Sequence, residues 1–291
     1  MKLIDTSDQF LSAFDAGRFD RGKWEAYMDA CVPGVKKLCL DDMREVLAAG
    51  YSWERDFLPV LDAVARDGAK RDEAIRSFRT VTERLDERIR ARFGRSPDAE
   101  LIFYLGLCNG AGWVTERNGK PVVLLGIEKI LELNWQDPDA MTGLIFHELG
   151  HVYQDCFGLL RLETAAMPDQ MLWQLFTEGI AMVFEQELAG TPDYFHQYDQ
   201  AWQRWCAENL ALLKRSFAAD LPAMTHDNQR YFGDWVRFEG RGDTGYYLGT
   251  CFVRFLLRTD SFDRLIRYEL PAVRDGFARF LRDEPAGTEN Y

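Results

Sequence analysis

The sequence predicts an α+β fold that is mainly α, with one small antiparallel sheet between two helical stretches. Three observations predict it. Apolar residues recur every three or four positions over residues 5–95 and again from Asp139 onward. Between these stretches, residues 101–127 hold short apolar runs rich in β-formers and broken by glycine. Within that segment Asn118-Gly119 separates two of the runs, as a two-residue hairpin turn would.

Each element follows from its own pattern. Phe10-Leu11-Phe14, Trp24-Tyr27-Met28 and Met43-Val46-Leu47 mark helical faces. Residues 71–93 carry a stripe at Ile75, Phe78, Val81, Leu85 and Ile89, which predicts one long helix with a solvated charged side. Gly94-Arg95-Ser96-Pro97-Asp98 stops it and predicts a domain boundary, with an N-terminal helical region 1–95 and a second domain 96–291. The first region is expected to cover a cleft or bind a partner. Leu101 to Cys108, Gly112 to Glu116 and Pro121 to Ile127 read as three strands. Helices are then expected over 139–157, 170–188, 196–219 and 246–258, with two shorter ones behind them.

Composition narrows the function classes. The chain has 291 residues, 47% hydrophobic and 28% charged, which suits a globular protein with a real core. A net charge of −12 lacks the basic footprint of a nucleic-acid binder and disfavours anionic membranes. Met1 to Asp8 shows no basic stretch followed by an apolar one, and no run approaches the ~18–20 apolar residues of a membrane helix. A cytoplasmic location is the expectation. Six cysteines with no C-x-x-C pair read as free thiols in a reducing compartment, Cys156 near the motif below included.

Chemistry concentrates in His147-Glu148-Leu149-Gly150-His151, an H-E-x-x-H sequence in a chain with only four histidines. On a helix its two imidazoles lie one turn apart on one face, where both can reach one metal ion. Glu148 stands beside the first of them, placed to take a proton from water. Two nitrogen ligands and a carboxylate base are the arrangement of a zinc peptidase. The flanks, Met141 to Phe146 and Val152 to Gln154, are mostly apolar and free of proline, as a buried helix requires.

A third ligand has to come from elsewhere. H-E-x-x-H-x-x-G-x-x-H is excluded, because Gln154 and Phe157 stand where that pattern needs glycine and histidine. Glu178 lies 27 positions past His151, far enough for a loop and a returning helix, in a run that is otherwise apolar. A carboxylate there is costly unless it is paired or ligated. Gly179 costs about 1 kcal/mol of helix propensity relative to alanine, which close approach to another helix or to substrate would explain. Asp155 and Asp243 are the alternatives.

The chain resembles gluzincin metallopeptidases at these residues. More narrowly it resembles bacterial families of predicted zinc-dependent proteases, which join H-E-x-x-H to E-G-x-A and a later G-Y-x-x-G. The matching residues are His147 to His151, Glu178-Gly179-Ile180-Ala181 and Gly245-Tyr246-Tyr247-Leu248-Gly249, within about residues 100–258. The resemblance implies a thermolysin-like zincin core, with His147, His151 and Glu178 as zinc ligands and Glu148 as general base. It departs from the thermolysin group one turn after the ligand glutamate, where Met182 replaces an aspartate.

Further residues complete the expectation. Tyr246 and Tyr247 are candidate catalytic donors to an oxyanion, and His226 is a weaker one in a polar loop. His196 reads as structural. Gly110, Ala111 and Gly112 are the candidate substrate-binding residues, where an extended peptide could approach a strand edge closely. The function expected is a zinc-dependent peptidase acting on a peptide or protein. Two alternatives stand beside it: a non-catalytic, metal-stabilised binding protein and a zinc hydrolase of a non-peptide amide.

Overall fold

The computed structural model describes residues 1–233 and 235–283. The last positions of the predicted second domain, 284–291, lie outside the described residues. The chain forms two compact units, one from Met1 to Glu148 and one from Leu149 onward. The N-terminal helices and the sheet thus belong to the same unit.

The first unit begins with strand β1 (Lys2–Asp5) and a small hairpin of β2 (Phe14–Asp15) and β3 (Arg18–Phe19). Helices α1 (Arg21–Cys31), α2 (Lys36–Ala48), α3 (Leu58–Arg66), α4 (Gly68–Thr82) and α5 (Leu85–Phe93) follow. Next come β4 (Glu100–Tyr104), β5 (Gly112–Arg117), β6 (Lys120–Gly126) and α6 (Ile127–Glu132). Helix α7 (Pro138–Phe157) carries the chain across the division. The second unit adds α8 (Met167–Ala189), α9 (Gln200–Glu208), α10 (Leu210–Asp220), α11 (Thr244–Leu256), α12 (Phe262–Leu265) and α13 (Leu270–Arg282). The molecule is therefore mainly α with a small sheet. No helix among the described residues is long and apolar enough to cross a membrane.

The sheet is mixed, which corrects the antiparallel expectation. Its order is β1-β4-β6-β5. Only β5 and β6 pair antiparallel, through the Asn118-Gly119 turn, whose two residues have φ of 54° and 74°. Both angles suit the tight turn that the Asn-Gly pair signals. Strand β4 pairs parallel to β6 and to β1. Leu101, Ile102 and Phe103 of β4 and Val122 to Leu125 of β6 are fully buried. Continuous apolar runs of that kind mark strands covered on both faces, the setting in which parallel pairing occurs. Strand β1 was absent from the expectation because Leu3-Ile4 is too short an apolar run to signal by itself.

Two predicted long helices are broken. The stripe over 71–93 is split between α4 and α5 at Arg84, whose φ is +52°. Thr82 Oγ1 turns back to the Phe78 carbonyl at 2.7 Å, and Arg88 Nη1 donates to the freed Val81 carbonyl at 3.1 Å. Phe78, Val81, Leu85 and Ile89 remain buried across the break, so the periodicity survives where the helix does not. The helix predicted over 196–219 becomes a loop followed by α9 and α10. Asp199 accepts from the Trp202 amide at 2.7 Å and starts α9 there. Capping by a short carboxylate outweighs the apolar pattern upstream of it.

Candidate metal centre

Asp137 starts α7 by accepting from the Asp139 and Ala140 amides at 2.9 and 3.1 Å. The helix then runs unbroken through the H-E-x-x-H residues. His147 and His151 stand one turn apart on it; His147 is buried and His151 part-buried. Helix α8 brings Glu178 to His151, with Oε2 3.3 Å from Nε2. The candidate ligand atoms of His147, His151 and Glu178 all lie within 4.8 Å of one another. Among the described residues this is the one group of histidine, cysteine and carboxylate side chains disposed to hold a metal ion. Two imidazoles and one carboxylate are donor types that a metal ion can take, in the number that catalytic zinc sites use.

Small residues in the motifs explain how Glu178 reaches His151. A Cβ placed on Gly150 would lie 2.7 Å from the Ala181 Cα. Helices α7 and α8 therefore touch backbone to backbone at that point. Gly150 precedes His151, and Ala181 follows Glu178 by one turn. On the other side of α8, a Cβ on Gly179 would lie 2.3 Å from the Gly249 carbonyl oxygen of α11. A Cβ on Gly249 would in turn meet the Leu175 carbonyl oxygen at 2.5 Å. The glycines of the three motifs thus lock α7, α8 and α11 together, each where a side chain would force the helices apart.

Glu148 has its own neighbour in the sheet. A Cβ on Gly112 would lie 2.8 Å from Glu148 Cγ and 2.9 Å from Glu148 Oε1. The first residue of β5 is thereby set directly against the carboxylate. Its backbone direction follows from the register. Ala111 accepts from the Gly126 amide at 3.0 Å, and Arg117 pairs with Lys120 across the turn. Odd-numbered residues of β5 consequently bond to β6, while Gly112, Val114 and Glu116 turn their N–H and C=O groups outward. Pro121, which lacks an N–H, falls opposite Glu116 in the non-bonded class, as that parity requires. No described strand pairs with the outer side of β5.

The two tyrosines differ. Tyr246 opens α11 with its ring 5.5 Å from Phe232 and 6.3 Å from Tyr198. Tyr247 packs among Phe195 and Trp202, ring centroids 5.3 and 6.1 Å away, with its hydroxyl at the Cys251 thiol. Tyr198 is a residue the motifs did not point to. Its ring stacks on Trp202 at 4.1 Å. Burial, together with the nearby Asp243, Glu185 and Glu178 carboxylates, holds its hydroxyl well above the usual phenol range, so it remains a proton donor. The only signal in the sequence was the cluster of aromatic residues from Tyr194 to Tyr198.

The remaining candidates are not members of that donor group. Asp155 pairs with Arg161 at 3.7 Å, and Asp243 accepts from the Gly233 amide at 2.9 Å. Cys156 and His226 are exposed. His196 is buried, its Nδ1 2.6 Å from Glu185 Oε1 and its Nε2 3.3 Å from Thr191 Oγ1. The Gln186 side chain donates to the Tyr194 carbonyl at 3.0 Å. Both contacts hold the 191–199 loop, and with it Tyr198, on α8.

Compared with protein-family models, curated protein sequences and solved structures, the chain matches none. The likeness to H-E-x-x-H metallopeptidases therefore rests on the motifs and on the donor geometry.

Proposed function

We propose that the protein is a zinc-dependent peptidase, with His147, His151 and Glu178 as ligands and Glu148 as general base. The observation that carries this reading is the convergence of the three donors within 4.8 Å, with Glu148 adjacent on the same helix. Zinc, when bound, supplies Lewis acidity, which makes water acidic near neutral pH and polarises a carbonyl. Glu148 accepts the proton of the attacking water and returns it to the departing amine.

An extended substrate chain pairs with the outward backbone groups of Gly112 and Val114, so its carbonyl is presented beside Glu148. Gly112 serves this purpose because any side chain there would occupy the space of the Glu148 carboxylate. Gly110 and Ala111 lead the backbone into that edge. Tyr246 is the favoured donor to the developing oxyanion, with Tyr198 beside it. Tyr247 supports them by packing.

The test is peptide hydrolysis by the zinc-loaded protein against a peptide library, with Glu148→Gln measured alongside. Wild type is expected to cleave, and Glu148→Gln to lose at least about 100-fold in kcat while keeping its zinc, the scale of a general base. A zinc-loaded wild type that cleaves nothing, or a Glu148→Gln variant of undiminished rate, would overturn the proposal.

A further inference from the structure

A second glutamate, outside the motifs, is built into the first unit with no exposure to solvent. Glu128 is 0% exposed. Its Oε2 accepts from the Gly106 amide at 2.9 Å and its Oε1 from the Cys108 amide at 3.0 Å. The two amides belong to residues 105–111, the crossover from β4 to β5. Space around the carboxylate is fully used: a Cβ on Gly106 would lie 2.6 Å from Oε1, and one on Gly126 would lie 3.0 Å from it.

Other residues of the crossover are held as well. Cys108 has a φ of +61°, which a non-glycine residue holds only when its surroundings impose it. Asn109 Oδ1 accepts from the Leu107 amide at 3.0 Å, while its Nδ2 donates to the Cys39 carbonyl at 3.0 Å and to Asp42 at 2.7 Å. The Leu105 carbonyl takes the Trp24 indole proton at 2.9 Å, and the Leu105 amide donates to Tyr27 Oη at 3.0 Å. A crossover held only for stability would not need a buried carboxylate at its centre, because burying a charge is costly. What it delivers is the next residue in the chain, Gly112, whose backbone lies on Glu148.

We propose that Glu128 is a positioning residue: its carboxylate folds residues 105–111 around itself and so fixes the Gly112 backbone against Glu148. The catalytic part of this inference rests on the peptidase reading. Glu128 touches neither substrate nor metal. It acts through the strand edge, and its loss is expected to fall mainly on KM, since the edge holds the substrate backbone.

Full-length protein with zinc supplied is compared as wild type, Glu128→Gln and Gly106→Ala. The amide of glutamine points a donor at one of the two N–H groups, whereas the Gly106→Ala methyl displaces the same carboxylate from the other side. Three readouts are taken: amide hydrogen exchange over 105–113, the NMR amide resonance of Gly112, and steady-state peptide cleavage. Exchange over 105–111 is expected to rise at least tenfold in both variants with exchange in α8 unchanged, and the Gly112 resonance is expected to move. The ratio kcat/KM should fall at least tenfold, most of it in KM, at unchanged zinc content. Unchanged exchange and an unmoved Gly112 resonance in either folded variant would overturn the inference. So would kcat/KM within twofold of an active wild type. If wild type cleaves nothing, the peptidase reading fails by itself, and exchange and resonance still decide whether Glu128 places Gly112.

Discussion

At the scale of single residues, the contact between Gly112 and Glu148 makes the sharpest statement. A methyl group on Gly112 would lie 2.8 Å from both Glu148 Cγ and Leu144 Cδ1, closer than carbon atoms pack. Gly112→Ala is expected to lower kcat/KM for peptide cleavage at least tenfold with zinc content unchanged. A variant that cleaves as wild type would show that β5 does not serve Glu148. Glu128 makes a prediction about pH. Burial pushes its carboxyl from the usual 4.5 up to about 7, against the pull of its backbone hydrogen bonds and of Lys129. The groups facing it are otherwise neutral when protonated: Tyr27, Tyr104, Cys39 and Cys108. Between pH 4.5 and 7 the folded state holds a proton that the unfolded state has lost. Stability from this group is therefore present at low pH and falls as pH rises through 7, by about 3 kcal/mol in all. Urea denaturation from pH 5 to 8 should show that decline in wild type and lack this component in Glu128→Gln. The pairing of His147 with His151 was legible in the sequence because i, i+4 spacing on a helix is local, and Glu178 was legible only as a carboxylate in an apolar run. Glu128 was not, because nothing in Gly126-Ile127-Glu128 reveals that its partners lie 20 and 22 positions earlier.

At the scale of elements, the glycines of the motifs act as contact points between helices. Gly179 sits mid-helix, where it costs about 1 kcal/mol relative to alanine, and the Gly249 carbonyl lies where its Cβ would go. Gly179→Ala should therefore destabilise the protein by about 1–3 kcal/mol through overpacking, in spite of alanine's better propensity. Thermal or urea denaturation measures it, and a neutral or stabilising result would contradict the packing argument. Helix existence and the β5-β6 hairpin were legible, since both follow from period and turn chemistry within one short stretch. The breaks at Arg84 and before Asp199 were not, because a Thr82 hydroxyl and an Asp199 cap compete with an apolar pattern that continues across them. Parallel pairing of β4 with β6 was hidden for a different reason: adjacency in sequence favours the hairpin, whereas the crossover at 105–111 depends on the distant residues that anchor it.

At the scale of the whole molecule, the N-terminal residues are structural parts of the first unit. Strand β1 pairs with β4 over Lys2 to Asp5, and Trp24 and Tyr27 bond the backbone at Leu105. The rings of Phe10 and Phe78 pack on Phe103 at 5.3 and 4.7 Å. Deleting residues 1–95 is accordingly expected to leave β4 with an open edge and a bare face and to give aggregated protein rather than an uncovered cleft. Recovery of a folded, monodisperse 96–291 fragment would contradict that expectation. The mainly helical α+β composition was legible from periodicity along the chain. The division at Glu148–Leu149 was not, because it falls inside the continuous helix α7, where composition gives no break.

The proposed function depends on His147, His151 and Glu178 holding zinc together. Elemental mass spectrometry on protein purified without an affinity metal, wild type beside Glu178→Ala, tests it most directly. Close to one zinc per chain is expected in wild type, with its loss or sharp reduction in the variant. Zinc retained in full by Glu178→Ala, or no zinc in wild type even after zinc is offered, would contradict it.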